Sequence, residues 1–361
     1  MALDATDELI DAETKLQQED DNSETPPSDI VAFNELRSCA DLTRMDKTNQ
    51  LIIKPEFQRD IVWPNTAQTR FIDSLVKQLP IPSMCISLDY KTEKRLVIDG
   101  LQRISTVIKF LTDDKWRLSE LEDIDPRISG RTALYIKDKY PDIYGRIENL
   151  TIPITVLRCD YSKKSHLNYL FTIFHRLNTG GNKLSNQEIR NCIFSGGFND
   201  LLKKIVNLDI TKNLFVIEPD KKYRYSFEEL ILRTFCFAET YEIYTGRLAK
   251  FLNDYMQSKK NVSEFELLEK ELRLINTFAL LNQKILDGRP LPKLSKATTE
   301  ALLVGIYNNY ETLIARTDQE VLGMYEALRN DQLFSVDNLK EGLAEKDKVI
   351  GRIRKSIQIF S

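Results

Sequence analysis

The chain has 361 residues, 42% of them hydrophobic and 29% charged, with a formal net charge of −3, enough apolar material for a substantial core and two domains. No apolar run approaches the ~18 residues that a bilayer crossing needs and no basic-then-apolar segment opens the chain, so neither a membrane span nor a secretory signal is expected and the reading is cytoplasmic. Five scattered cysteines, with no Cys-x-x-Cys pair, fit neither a disulfide framework nor a zinc cluster and leave reduced, buried thiols.

Residues 1–30 hold ten carboxylates against the single Lys15 and end near Pro26-Pro27, the composition of a disordered acidic leader. The remainder is then mildly basic, compatible with nucleic-acid contact. Leu51-Ile52-Ile53 is a short apolar run. Pro55 and Pro64 keep the next segment extended, while Phe57, Val62 and Trp63 want burial, so Gln58 and Arg59 are polar groups pinned between anchors.

A helix is predicted from Asn65 or Thr66, with Phe71, Ile72, Leu75, Val76 and Leu79 on one face and Pro80 and Pro82 ending it. Residues 84–88 and 95–98 read as two strands joined by the turn 91–94. The second strand runs through Asp99 and Gly100 into a helix whose inner face is Ile104, Val107, Ile108 and Leu111.

That strand, glycine corner and helix start is the candidate site. Unpaired backbone N–H groups at a helix N-terminus favour an anion, Arg103 adds a forked cation suited to phosphate, Gln102 donates or accepts, and Asp99 can hold a metal ion or orient a water. Ser105 and Thr106 add hydroxyls one turn on. The pattern points to a phosphate-bearing ligand, a nucleotide above others. The structural alternative is a helix cap at Asp99 and an Arg103 paired with a surface carboxylate.

Asp113-Asp114-Lys115 is read as a solvated turn rather than a nuclease cluster, residues 133–149 as helical or irregular, and 150–157 as a strand. A helix with Leu170, Phe171, Ile173, Phe174 and Leu177 on its apolar face ends at Asn178-Thr179-Gly180-Gly181, and Ser185 with Glu188 forms a capping box for the next. His175, Arg176, Asn178, Gln187 and Arg190 crowd that turn; His166 is expected to be exposed. Beyond Gly197 the chain is helical, with capping boxes expected at Ser226/Glu229, Ser263/Glu266 and Thr317/Glu320 and apolar faces that include Leu267, Leu268, Leu272 and Ile275. The aromatic residues Phe235, Phe237, Tyr241 and Tyr244 are assigned to the core, and the basic stretch 346–355 to a charged helix face.

Taken together, residues 55–63, the Val97–Arg103 stretch, and Phe174–Gly181 with Leu184–Arg190 resemble the signature of the GmrSD-type N-terminal domain family, in the family's order and over about residues 35–205. The resemblance implies an α+β chain: a ParB/sulfiredoxin-like α/β core over 31–200 and an all-helical domain over 201–361. It implies a nucleotide loop that binds and hydrolyses a nucleoside triphosphate with Mg2+, within modification-dependent restriction or another anti-phage system. On that resemblance Asp99, Gln102 and Arg103 are the catalytic group. Gln58, Arg59, Gly100, Ser105, Thr106, Arg176, Asn178, Thr179, Gly180 and Arg190 are the nucleotide-binding residues, and no protein-only metal site is expected.

Two departures matter. Leu101 stands where many relatives carry Gln, which makes hydrolysis less secure than binding, and the two histidines, His166 and His175, both lie in or beside one helix, with nothing resembling a His-Asn-His nuclease motif later on. The leading reading is therefore a nucleotide-sensing subunit, with modified DNA, a separate nuclease and a second copy of the chain as the partners left open. The alternative is a non-catalytic DNA- or protein-binding module on the same scaffold.

Overall fold

The computed structural model describes residue 9 and residues 25–53, 63–177, 184–217, 226–340 and 343–361. It divides into two compact units, one of residues 23–184 and one of residues 185–361 joined by the described part of 1–22, which is Leu9. The chain is α+β, a five-stranded sheet followed by helices.

In the first unit the strands are β1 (Val31–Ser38), β2 (Leu51–Ile52), β3 (Met84–Asp89), β4 (Arg95–Asp99) and β5 (Thr151–Cys159), in the spatial order β1-β5-β3-β4-β2. β3 is central and buried along its whole length. It runs parallel to β5 and antiparallel to β4, with Ile86 opposite Val156 on one side and Val97 on the other. Alternation then sorts its side chains. Met84, Ile86 and Leu88 join the main apolar core, together with Val97 of β4 and Ile152, Ile154 and Val156 of β5.

The helices α1 (Cys39–Lys47), α2 (Asn65–Val76), α3 (Leu101–Thr112), α4 (Ala133–Lys139) and α5 (Pro141–Asn149) contribute to that same core through Leu42, Ile72, Val107, Ile136 and Ile143. A sixth helix, α6 (Lys164–Leu177), packs against β4.

The β3–β4 hairpin and β5 lie where the sequence puts them, as does the second helix, although α2 ends at Val76 and leaves Leu79 half exposed. β1 and α1 have no counterpart among the predicted elements. β1 is an edge strand with mostly exposed side chains, so burial imprints no alternation on it. Its place comes from the ladder to β5, from Val31 opposite Arg158 to Ser38 opposite Thr151.

His166 is buried, not exposed, because both ring nitrogens are used. Nδ1 accepts the Asp160 N–H at 2.9 Å, so the proton sits on Nε2, which meets Asp29 Oδ1 at 2.9 Å. Asp29 also pairs with Lys163, and the Lys163 and His166 hydrogen bonds hold its carboxyl down at about 2. The acidic leader otherwise lies outside the described residues up to Glu24, except for Leu9, which is buried against Ala297 and Leu339.

The second unit opens with α7 (Asn186–Ile193), capped by Ser185 and Glu188 in a reciprocal box. Thr317 and Glu320 form the other complete box. At Ser263 only half of the expected box forms, its Oγ accepting the Glu266 N–H while the Glu266 carboxylate takes Lys259 at 2.8 Å, and the expected Ser226/Glu229 box borders residues 218–225, outside the described ones. A charged hydrogen bond is stronger than one to a neutral backbone donor, so the ion pair wins. Phe235, Phe237 and Tyr244 are core, whereas Leu268 and Leu272 are exposed. Arg352, expected on a charged face, is buried and donates to the Leu343 carbonyl at 2.8 Å.

Candidate functional site

β4 delivers its last residue, Asp99, to a corner that only glycine fits. Gly100 has φ +92° and is the N-cap of α3, and a Cβ there would lie 2.6 Å from the Met84 side chain. Both the left-handed backbone and the lack of space exclude a side chain. Ile104 N–H closes the first turn on the Gly100 carbonyl at 2.9 Å.

Arg103 is held from two sides. One Nη donates to Asp99 Oδ2 at 2.9 Å and the other to the Pro82 carbonyl at 2.5 Å, and the side chain is only 14% exposed. The carboxylate that pairs with Arg103 is Asp99, and Gly100 rather than Asp99 stands at the N-cap of α3, without a side-chain cap. The guanidinium keeps further N–H donors beyond these two bonds. Asp99 keeps Oδ1, and its side chain is 38% exposed.

Gln102 points elsewhere. Its Oε1 accepts the Trp63 N–H at 3.0 Å, and with Ser105, Thr106 and Lys109 it lines one stripe of α3. That stripe faces a groove of about 460 Å³, completed by Asp46 of α1, Ile53, Gln68 of α2, and Ile108, Thr112 and Asp113. Successive helix residues point roughly 100° apart, which is why Arg103 is absent from the lining. The expected group is thus split, with Asp99 and Arg103 paired at the head of α3 and Gln102, Ser105 and Thr106 brought together in the groove.

Lys109, Gln68 and Asp46 are residues that sequence reasoning missed. Lys109 Nζ donates to Gln68 Oε1 at 3.1 Å and sits 4.4 Å from the centre of the Trp116 ring. Both supports are pinned in turn. Gln68 Nε2 donates to the Trp63 carbonyl at 2.8 Å and Trp116 Nε1 to Asn65 Oδ1 at 2.7 Å. Burial lowers the Lys109 pKa against the opposing pull of Asp113, and burial raises that of Asp46. Lys109 was legible as the i+7 member of the stripe that starts at Gln102. Gln68 and Asp46 come from other helices and carry no local signal.

Gln58 and Arg59 lie in 54–62, and Asn178, Thr179 and Gly180 in 178–183, outside the described residues. Of the two residues flanking 54–62, Ile53 lines the groove and Trp63 is bonded to Gln102. Arg176 is exposed in the last turn of α6.

Arg190 belongs to the second unit and is buried to 1%. Its Nε donates to Asn253 Oδ1 and its Nη1 to Glu229 Oε2, both at 2.9 Å. Glu229 also takes Arg233 at 2.8 Å, and Arg233 reaches Glu300 at 3.4 Å. Burial pushes the Glu229 carboxyl up, but Arg233, Arg190 and Lys296 outweigh it and hold it at about 2.

Among the described residues no three His, Cys, Asp or Glu side chains converge on a metal position, and none has a helix long and apolar enough to cross a membrane. Magnesium commonly rests on one or two carboxylates and the phosphates it accompanies, and the spare Oδ1 of Asp99 fits that use.

Residues 40–195 match the family described as GmrSD restriction endonuclease, N-terminal domain. No curated protein and no solved structure matches the chain.

Proposed function

Because residues 40–195 belong to the GmrSD restriction endonuclease N-terminal domain family, we propose that this protein binds a nucleoside triphosphate at the head of α3 as the nucleotide-sensing subunit of a restriction or anti-phage system. The observation that carries the reading is the Asp99–Arg103 corner, where a glycine-only turn aims a helix N-terminus and a tethered arginine at one place. Arg103 and the first-turn N–H groups hold the phosphates, Gln102 and the Ser105 and Thr106 hydroxyls hold the ligand along α3, and Asp99 meets the accompanying magnesium. Modified DNA is the signal it reports on, and a separate nuclease subunit performs cleavage. The buried His166, with both nitrogens engaged, supports assigning cleavage elsewhere.

Titration calorimetry with nucleoside triphosphates and magnesium tests this. Charge-assisted contacts of ~1.5–3 kcal/mol imply that Arg103→Ala weakens binding at least about tenfold. A wild-type protein that binds no nucleotide ends the proposal. Leu101 supports a second reading, binding without hydrolysis, because its side chain packs on the core and offers no donor. Phosphate release by wild type but not by Gln102→Ala excludes that reading.

A further inference from the structure

Three charged side chains line the groove along α3, and the cation among them, Lys109, forms an ion pair with neither Asp46 nor Asp113. Lys109 and Asp46 both line it. Among the described residues Lys109 meets Gln68 Oε1 and the Trp116 ring rather than a carboxylate, and Asp46 accepts no side-chain partner. Burial disfavours the charged form of each. A cation and an anion kept apart and partly stripped of water in one groove are complementary to a ligand that carries an acceptor and donors along a single edge.

We propose that this groove receives the base of the bound nucleotide and selects guanine, with Lys109 donating to O6 and Asp46 accepting from N1–H and the 2-amino group. The inference rests on the nucleotide reading above. The spacing agrees with it: Lys109 lies seven residues beyond Gln102, ~10 Å along the helix, a length suited to separating a base from its terminal phosphates. Ile53 and Ile108 supply apolar walls for a planar ring, and Gln68 and Trp116 hold the lysine head in place before any ligand arrives. Adenine presents the opposite polarity at both points, an amino donor toward Lys109 and an unprotonated N1 toward Asp46. A site whose polar groups are left unpaired by the wrong ligand discriminates strongly. Asp113 sits exposed at the groove's end, with Oδ1 accepting the Lys115 N–H at 3.1 Å, and its charge acts on Lys109 without a direct ion pair.

The test is calorimetry on the full chain with magnesium and GTP, ATP, UTP or CTP, for wild type, Lys109→Gln and Asp46→Asn. Expected is a preference of about tenfold or more for GTP over ATP, reduced to less than about threefold in each variant. Unfolding midpoints of both variants are measured alongside, and Lys109→Arg, which keeps the charge, is expected to retain the preference. Equal or tighter binding of ATP, UTP or CTP, or a preference that survives both substitutions, overturns the inference and leaves the nucleotide reading intact. Failure of the wild type to bind any of the four overturns both.

Discussion

The backbone N–H of Trp63 is bonded at 3.0 Å to the Oε1 of Gln102, 39 residues further along the chain. Trp63 is itself partly buried on the core, with its ring 5.7 Å from Phe71 in an edge-on arrangement. Gln102 therefore fastens the start of α2 to the head of α3, and any role toward a ligand is added to that structural one.

The two roles separate by substitution. Gln102→Glu keeps an acceptor for Trp63, so its unfolding free energy is expected within about 0.5 kcal/mol of wild type, whereas Gln102→Ala leaves the N–H unpaired and loses ~1 kcal/mol or more. Both weaken nucleotide binding, the glutamate through repulsion. Denaturant unfolding beside calorimetry checks this, and equal stability of the two variants contradicts it.

Gly100→Ala is expected to lose ~1–3 kcal/mol of stability through its left-handed backbone alone, with more from the collision with Met84. Combining it with Met84→Ala should cost less than the sum of the two single changes. Strict additivity in urea unfolding would show that the Met84 contact is not what forbids the methyl group.

Acid sensitivity follows from Glu229. Its carboxyl is held at about 2 in the folded protein against an ordinary 4.5, so the folded state binds fewer protons than the unfolded one between those values. The stabilisation is complete above pH 4.5 and drains away as pH falls toward 2. Glu229→Gln removes the carboxylate that the buried Arg190 and Arg233 share and is expected to lose ~3–5 kcal/mol at neutral pH. Its stability should then depend less on pH below 4.5 than that of wild type, read by thermal unfolding across the range.

All five cysteines are free and buried, and burial pushes the Cys39, Cys85 and Cys159 thiols up to about 12. Thiolate is the reactive form, so a thiol-specific disulfide reagent should label none of the five in the native protein within an hour and all five in denaturant. Rapid native labelling of any one would locate a segment that opens readily.

The corner at Gly100 was legible because its cause is local: a buried strand, a glycine and an apolar stripe follow one another within a dozen residues. The groove was half legible. Gln102, Ser105, Thr106 and Lys109 share one helix, but Asp46 and Gln68 reach it through tertiary packing that no spacing reports. His166 misled for the same reason, since its partners are an aspartate from before β1 and a backbone N–H from the end of β5. β1 was silent because an exposed edge strand needs no apolar pattern to pair.

Arg190 sits in a run of residues with the look of a ligand site, yet its bonds to Asn253, Gln187 and Glu229 are those of a keystone. A mutational survey scored only by loss of function would rank it beside Arg103. Cellular abundance, measured in parallel, should part them: variants at Arg190 would vanish from the lysate, while those at Arg103 would accumulate and fail.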